Sequence, residues 1–215
     1  MGGRLQSLVH SPTSSNLEAT NGVCRCATNN IRRTHMHQGT NYRYQAWQPI
    51  DTPKTSKGTK APYYGNIAVA AFMGDITSSP PSIINLPLPA EEESAYAAYV
   101  DGQLDRVIVI NMQEYNHTEG NKYFNHYPRP IERYNFQLPT AVSGKAEVQR
   151  MMANGSDAIT GCTFDGYSYN YELEEGKPVL LNNVTRGETV VVGDDGTMSV
   201  DVARSSAVIV RFKKS

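Results

Sequence analysis

One stretch of this sequence, residues 35–47, concentrates side chains that could hold an acidic sugar. It contains two histidines, an asparagine, three aromatic residues and a Gly-Thr pair. Aromatic rings can stack on a sugar, and the backbone N–H groups of a turn together with a tyrosine hydroxyl can hold a carboxylate. The same composition fits a tyrosine-rich loop that packs on a neighbouring domain. From the residues alone, both interpretations remain open.

Cleavage of a glycosidic bond generally requires two carboxyl groups that face the bond. The carboxylate clusters of this chain are Glu91–Glu93, Glu172 with Glu174–Glu175, and Asp194–Asp195. All three lie in predicted loops or hairpins, where runs of charge usually form solvated surface. A general acid needs an apolar pocket that raises its pKa, and no flanking sequence predicts one. We therefore assign no catalytic residue from the sequence.

Other chemistries find little support in the pattern of residues. The sequence has no nucleophile elbow, no phosphate-binding glycine loop and no H-E-x-x-H helix. His35 and His37 would share one face of a strand, but they have no third ligand nearby, so no metal and no cofactor is expected. The odd set Cys24, Cys26 and Cys162 predicts structurally incidental thiols rather than a disulfide framework.

Composition excludes some classes of partner. The chain of 215 residues has a formal net charge of -1, so no excess of positive charge favours a nucleic-acid or membrane partner. No apolar run reaches the roughly 20 residues that span a bilayer. Met1 and the residues after it lack the apolar core of a signal peptide, while three glycosylation sequons, beginning at Asn116, Asn154 and Asn183, permit a secreted history.

The first part of the chain predicts one unit of an α/β fold. Residues 1–30 are polar and without periodicity, which predicts an irregular segment. Residues 32–38 predict a short strand, and residues 61–74 predict a helix with Pro62 in its first turn and Gly74 at its end. We expect Ile67, Ala70, Ala71 and Phe72 to form an orphan apolar surface on this helix, through which the chain could associate with a partner.

From about residue 76 the pattern changes to that of an all-β domain. After the proline-rich residues 77–93, turn signals recur at intervals of about ten residues and delimit about eight strands. That number is typical of a two-sheet antiparallel β-sandwich. The fold class is therefore mainly β, with a sandwich at residues 85–213, a strand-loop-helix unit at 31–75 and an irregular segment at 1–30.

Several blocks of the sequence are similar to the C-terminal third of glycoside hydrolase family 79. They are RRTHMHQGTNYRYQAWQPID, KAPYYGNIAVAAFMG, LDRVIVINMQEYN, RPIERYNFQLP and SSAVIVRF. The family includes fungal and bacterial β-glucuronidases and heparanases, which act on glycans that contain uronic acids and are commonly extracellular. Its fold is a (β/α)8 barrel followed by a β-sandwich. The resemblance implies that residues 32–38 form the last barrel strand, residues 62–73 the last barrel helix and residues 85–212 the sandwich.

The resemblance also implies where a uronic acid would bind. In the family, the loop after the last barrel strand holds the uronate carboxylate through a backbone amide and a tyrosine. Gly39, Thr40, Asn41 and Tyr42 match that loop; Tyr42 is the best candidate, and His37 and Tyr44 are weaker neighbours. The two catalytic glutamates of the family lie on earlier barrel strands, to which nothing here corresponds. The stretch before residue 32 is short and polar where the family has a helix.

Three hypotheses follow from these features. The chain is a C-terminal fragment of a β-glucuronidase-like enzyme and is inactive alone, or the sandwich binds a glycan independently, or an exposed barrel-facing surface docks another chain. Tyr115, Tyr123 and Tyr127 are the stacking candidates of the second hypothesis, although packing is the more common role of such residues. For this form of the chain the sequence predicts no location.

Overall fold

The computed structural model describes residues 14–40, 42, 45–54, 56–117, 127–139, 141–158 and 161–213. Its helices are α1 (Ser14–Thr28), α2 (Ala61–Met73) and α3 (Tyr171–Glu174). Its strands are β1 (Trp47–Gln48), β2 (Gly58–Thr59), β3 (Ser82–Leu86), β4 (Glu93–Val100), β5 (Gln103–Asn111), β6 (Ile131–Gln137), β7 (Gly144–Met152), β8 (Thr163–Phe164), β9 (Tyr167–Ser168), β10 (Val179–Leu180), β11 (Glu188–Val192), β12 (Thr197–Ala203) and β13 (Ser206–Arg211). None of the helices in these ranges is long and apolar enough to cross a membrane.

A large antiparallel sheet forms the centre of the fold. Within the described residues it has nine strands in the order β10-β9-β8-β7-β13-β5-β4-β3, and β11 also pairs with β7. On β5, Val107 and Val109 face one side and Ile108 and Ile110 face the other, and all four are fully buried. A continuous apolar run of this kind is typical of a strand that is covered on both faces.

Strands β6 and β12 cover one face of the central sheet. They pair with each other in an antiparallel ladder that places Tyr134 opposite Val200. Val200 and Val202 pack with Val107 and Val109 in a buried cluster between the two sheets. Two antiparallel sheets that enclose an apolar core are a β-sandwich, so the predicted fold class is confirmed.

Helices α1 and α2 cover the opposite face of the central sheet. Helix α2 was predicted, but the side that it buries differs from the expected one. Tyr64, Ala68 and Phe72 are buried in a cluster with Ile108 and Ile110, a spacing of four residues that keeps them on one side of a helix. The remaining residues of the predicted orphan surface, Ile67 and Ala71, are half-buried and Ala70 is exposed. The prediction of an uncovered surface is therefore wrong for Phe72, because the chain's own sheet covers it.

The prediction that residues 1–30 are irregular is wrong for residues 14–28, which form α1; residues 1–13 lie outside the described ranges. Leu17, Thr20 and Cys24 are buried at the spacing of one helical face. Only Leu17 of these three is a large apolar residue, so the periodicity of the segment was too weak to predict the helix.

The predicted strand at residues 32–38 is also not formed. Residues 31–39 have no regular secondary structure, and the side chains of residues 31–38 are exposed. A strand forms only where a neighbour accepts and donates its backbone hydrogen bonds, and within the described ranges no segment pairs with this one. The boundaries at 31–75 and 85–213 stay predictions about domain organisation.

Two arginines fix the C-terminal end of α2. Arg106 on β5 and Arg211 on β13 both donate to the carbonyl oxygen of Ala71, at 3.1 and 2.6 Å. The last carbonyls of a helix have no partner inside the helix and carry partial negative charge, so guanidinium groups stabilise this end. Gly74 follows with φ 63° and lies against the guanidinium of Arg106. The helix is thereby tied to two central strands.

Replacement of Gly65 by alanine should destabilise the packing of α1 on α2. A Cβ at Gly65 would lie 2.5 Å from the carbonyl oxygen of Asn16, so the helices would have to separate, at a cost of about 1–3 kcal/mol. Gly22→Ala on α1 is the matched control, because a Cβ there meets nothing within 4 Å. Urea unfolding should show a lower free energy of unfolding for Gly65→Ala and not for Gly22→Ala. Equal stability of the two variants would contradict the close helix contact.

Two of the three cysteines should resist modification in the folded chain. All three are free, and burial raises the pKa of Cys24 and Cys162 to about 12. Since the thiolate is the nucleophile and a thiol of this pKa is ionised to only ~1 part in 10,000 at pH 8, both thiols should react slowly. A disulfide reagent should therefore titrate one thiol, Cys26, before denaturant is added and three after it. Rapid reaction of Cys24 would contradict the placement of α1.

Candidate functional site

The candidate site is the loop of residues 37–48, which precedes α2. Its end is fixed by the β1–β2 ladder, in which Trp47 pairs with Thr59 and Gln48 pairs with Gly58. The N–H of Lys60 also donates to the carbonyl of Ala46 at 2.9 Å. Helix α2 begins one residue later, so the helix that packs on the central sheet also determines where this loop lies.

Two buried glutamines form the base of the loop. Gln45 and Gln48 are 0% and 2% exposed. The Gln45 amide donates to Oε1 of Gln48, whose own amide donates to the carbonyl of Ile50 at 2.8 Å. Oε1 of Gln45 is buried and has no hydrogen-bond partner among the described residues. Buried side chains that are linked by hydrogen bonds restrict the loop to one conformation. Any other conformation would break a hydrogen bond and leave a desolvated polar group unpaired.

Gln38 connects the two arms of the loop. Its Oε1 accepts a hydrogen bond from the N–H of Ala46 at 3.0 Å, and its Nε2 donates to the carbonyl of Trp47 at 2.7 Å. The side-chain amide therefore forms the two hydrogen bonds, one as acceptor and one as donor, that a neighbouring strand would otherwise form with this backbone. This holds residues 37–39 beside residues 46–47.

Tyr42 lies directly on the backbone of Gly39. A Cβ at Gly39 would lie 2.6 Å from Cε2 and 2.9 Å from Cδ2 of the Tyr42 ring. The ring centroids of His37 and Tyr42 are 5.2 Å apart, with the planes tilted by 35°. Tyr42 remains 42% exposed. The ring is thus supported on two sides by its own loop while the tyrosine stays accessible to solvent.

The structure brings together three of the predicted site residues: His37, Gly39 and Tyr42. Thr40 adjoins Gly39 and is exposed. Asn41 and Tyr44 lie outside the described residues. Gln38 was not predicted, because a lone exposed glutamine carries no signal in a sequence. The binding role assigned to the predicted residues stays a prediction.

A tyrosine cluster joins the start of α2 to the sandwich. The hydroxyl of Tyr64 donates to Oδ1 of Asn170 at 2.9 Å and accepts from the N–H of Tyr169 at 2.7 Å. Burial raises the pKa of Tyr64 to about 12. The rings of Tyr63, Tyr64 and Tyr169 meet edge to face. The sandwich segment around residue 169 therefore fixes the helix that follows the candidate loop.

Most carboxylates of the predicted clusters lie at the surface. The side chains of Glu91, Glu92, Glu172, Glu174, Glu175, Asp194 and Asp195 are exposed. Among the described residues, every carboxyl group with a resolved shift has a lowered pKa: Asp75 and Asp195 through hydrogen bonds from neighbouring Ser or Thr residues, and Asp201 through Arg133. A general acid for glycoside cleavage needs the opposite shift. The same residues also contain no cluster of potential metal ligands.

Of the three tyrosines predicted to stack on a glycan, Tyr115, Tyr123 and Tyr127, the structure describes two, and they differ in exposure. The Tyr115 hydroxyl donates to the carbonyl of Tyr127 at 3.1 Å, and the Arg129 guanidinium lies 5.6 Å from its ring centroid. Tyr115 is therefore engaged in packing. Tyr127 is 73% exposed, and Tyr123 lies outside the described residues.

Comparison with known proteins identifies the family. Residues 95–209 match the glycosyl hydrolase family 79 C-terminal beta domain. The chain belongs to this family. A beta-glucuronidase of Aspergillus niger is 55% identical over 190 residues, which cover 86% of this chain and 34% of that protein. A beta-glucuronidase of Neurospora crassa is 46% identical over 213 residues, which cover 85% of this chain and 38% of that protein. This member of family 79 thus spans 34–38% of the length of these two relatives.

Solved structures of glycoside hydrolases share the fold. A 4-O-α-L-rhamnosyl-β-D-glucuronidase from Fusarium oxysporum, solved as a Rha-GlcA complex, superposes with a TM-score of 0.60 at 18% identity over 91% of this chain and 40% of that chain. A family 30 xylanase from Clostridium acetobutylicum gives a TM-score of 0.55 at 11% identity over 100% of this chain and 41% of that chain. At these identities the likeness concerns the fold alone.

Replacement of Gln38 by leucine should loosen the candidate loop without unfolding the chain. The change removes both hydrogen bonds to residues 46–47, and because the side chain is exposed it should cost only about 0.5–1.5 kcal/mol. Trp47 is the single tryptophan of the sequence, so its fluorescence anisotropy reports on the loop directly and should fall. Gln103→Leu, on the exposed start of β5, is the control. Unchanged anisotropy in the Gln38 variant would contradict the role of its two hydrogen bonds in holding the loop.

Proposed function

We propose that this chain is the C-terminal part of a β-glucuronidase-like glycoside hydrolase and that its loop of residues 37–48 binds the carboxylate of a glucuronic-acid residue. The observation that carries the proposal is the position of Tyr42, which is supported on Gly39 and His37 yet remains 42% exposed. The names of the two curated relatives, both beta-glucuronidases, support the same substrate class.

The proposed contact is a charge-assisted hydrogen bond from the Tyr42 hydroxyl to the uronate, with a backbone N–H of the adjoining Gly39-Thr40 turn as a second donor. Tyrosine suits this task because its hydroxyl is a neutral donor on a rigid ring. Contact with Gly39 removes ring conformers before the sugar arrives, which lowers the entropy lost on binding. His37 packs against the ring and helps to orient it. Asn41 and Tyr44 complete the proposed set.

The chain is proposed to bind without hydrolysing. The family's two catalytic glutamates belong to earlier barrel strands, and the exposed carboxylates of the described residues offer no substitute. Catalysis in the proposed enzyme therefore requires residues outside this sequence, whereas the uronate contact lies within it. The proposed function needs no cofactor, metal, nucleic acid or membrane, and the family resemblance implies a reaction outside the cell.

The purified chain should bind glucuronic acid without cleaving a glucuronide. With an aryl β-glucuronide the purified chain should release no phenol, while NMR titration with glucuronic acid should show weak saturable binding. Tyr42→Phe should weaken that binding about tenfold, since one hydrogen bond to a charged group is lost. Tyr127→Phe, in an exposed tyrosine of the sandwich, is the matched control and should bind as the parent chain does.

Two results would contradict the proposal. Phenol release that disappears in Tyr42→Phe would mean that catalytic groups lie within these 215 residues. Binding that is lost in Tyr127→Phe and kept in Tyr42→Phe would favour the alternative of an independent glycan-binding sandwich. The exposed ring of Tyr127 is the observation that favours this alternative.

A further inference from the structure

A groove with a volume of about 610 Å³ lies in the sandwich beside the turn that connects β10 to β11. The turn carries Asn183 and Thr185, the first and third residues of a glycosylation sequon, and both are exposed. Asn183 itself lines the groove, together with apolar and charged side chains that include Ile131, Met152, Val184, Arg129 and Glu188. Sites that bury a small molecule have volumes of about 300–1,000 Å³.

The groove lies on the face of the central sheet that helices α1 and α2 do not cover. Met152 lines it from β7, and side chains alternate along a strand. Val148, on the same side of β7, packs in the cluster between the two sheets, whereas Met151 packs in the cluster with the helices. All the lining residues fall between positions 129 and 203. In the proposed enzyme the barrel adjoins α2, so this groove lies on the opposite side.

The other two sequons are engaged by the fold. At Asn116 the atom that would be modified, Nδ2, donates to Oε1 of Glu114 at 2.7 Å. In the sequon of Asn154 the third residue, Ser156, is 3% exposed and its hydroxyl is hydrogen-bonded to that of Ser205. The sequon requires a hydroxyl at its third position, so a fold that draws Ser156 into the core competes with modification.

We propose that Asn183 carries an N-linked glycan and that the first N-acetylglucosamine of this glycan lies in the groove. The proposal rests on the extracellular reaction implied for the proposed function, since sequons are modified in secreted proteins. The donor is an oligosaccharide on dolichyl diphosphate. The bond from its anomeric carbon to the diphosphate oxygen breaks, the same carbon bonds to Nδ2 of Asn183, the amide loses one proton, and dolichyl diphosphate leaves with the bonding electrons.

The groove contains the groups that an N-acetylglucosamine would use. Ile131, Met152 and Val184 offer apolar surface to the C–H face of the pyranose. Three of the five N–H groups of Arg129 donate to backbone carbonyls, which leaves two for a hydroxyl or the acetamide oxygen. The carboxylate of Glu188 is paired with an arginine of β7 but keeps lone pairs that accept from sugar hydroxyls.

The test directs the full chain through the secretory pathway of a fungal host with a leader that is removed on secretion. Digestion after glutamate separates the sequons of Asn154 and Asn183, because Glu172, Glu174 and Glu175 lie between them. Release of the glycan by an amidase in heavy-oxygen water converts a glycosylated Asn into isotope-labelled Asp, which mass spectrometry locates. The label is expected at residue 183, and its absence there would overturn the proposal.

Variants of the turn identify the modified residue. Asn183→Gln and Thr185→Ala should each remove one glycan from the secreted chain, whereas Thr185→Ser should keep it because the hydroxyl is retained. Asn182→Gln changes an adjacent exposed asparagine that begins no sequon and should leave the glycan in place. A glycan that persists in Asn183→Gln and Thr185→Ala would contradict the assignment.

Oxidation of Met152 reports on the groove. Its side chain is half-buried, so a sugar in the groove should shield the sulfur from peroxide, which converts Met to its sulfoxide. With the glycan trimmed to its first N-acetylglucosamine, Met152 should be oxidised more slowly than in Asn183→Gln. Met36, which is 48% exposed, should react equally in both chains. Equal rates for Met152 would overturn the placement of the sugar.

The uronate site is tested separately. By NMR, Asn183→Gln should bind glucuronic acid as tightly as the parent chain does. Label at residue 183 without uronate binding would overturn the contact at Tyr42 and leave the glycan assignment standing. Uronate binding by a secreted chain with unmodified Asn183 would do the reverse.

Discussion

The structure depends on one constraint: the central sheet is apolar on both faces. Valines of β5 and β13 face β6 and β12, while the isoleucines between them face the helices. A sheet with two apolar faces must be covered twice, because burial of each large aliphatic side chain contributes about 1.5–3 kcal/mol. The sheet of β6 and β12 packs on the valine face, and helices α1 and α2 pack on the isoleucine face. The helices are thus part of the core rather than an appendage to the sandwich.

This constraint also fixes the candidate loop. Helix α2 is held at its C-terminal end by Arg106 and Arg211 and near its start by the hydroxyl of Tyr64. A helix fixed at both ends leaves little freedom to the residues that immediately precede it. The β1–β2 ladder and the buried glutamines then extend that order back to residue 45. The bonds from Gln38 to residues 46–47 then place Gly39, against which the Tyr42 ring lies.

Sequence patterns predicted the parts of this fold that follow from side-chain alternation or composition. The alternation in β12 and the apolar run in β5 each predicted a strand, and Pro62 with Gly74 delimited α2. Helix α1 was missed because Thr20 and Cys24 occupy its buried face, and the strand at 32–38 was predicted although the described chain offers it no partner. Pairing is a property of two segments, so one segment's sequence cannot establish it.

In the candidate site too, residue types could be predicted from the sequence, but the contacts between them could not. The resemblance to the family pointed to Gly39 and Tyr42 as separate residues, and what it could not give was their contact, in which the missing Cβ makes room for the ring. Gln38, Gln45 and Gln48 gave no signal, because an isolated glutamine has the same appearance in a sequence whether it is solvated or bridges a loop. Their bonds depend on distances that only the folded backbone sets.

The buried glutamines restrict the conformation of this loop at a cost in stability. Oε1 of Gln45 has no partner among the described residues, and such an atom costs about 1–3 kcal/mol relative to a solvated one. An apolar pair of similar size would avoid that cost, but it would allow the loop to slide, since apolar contacts are not directional. The glutamine pair accepts a loss of stability in exchange for one defined path of the backbone. The same defined path holds Gly39, against which the Tyr42 ring lies, in the single arrangement that the proposed uronate contact requires.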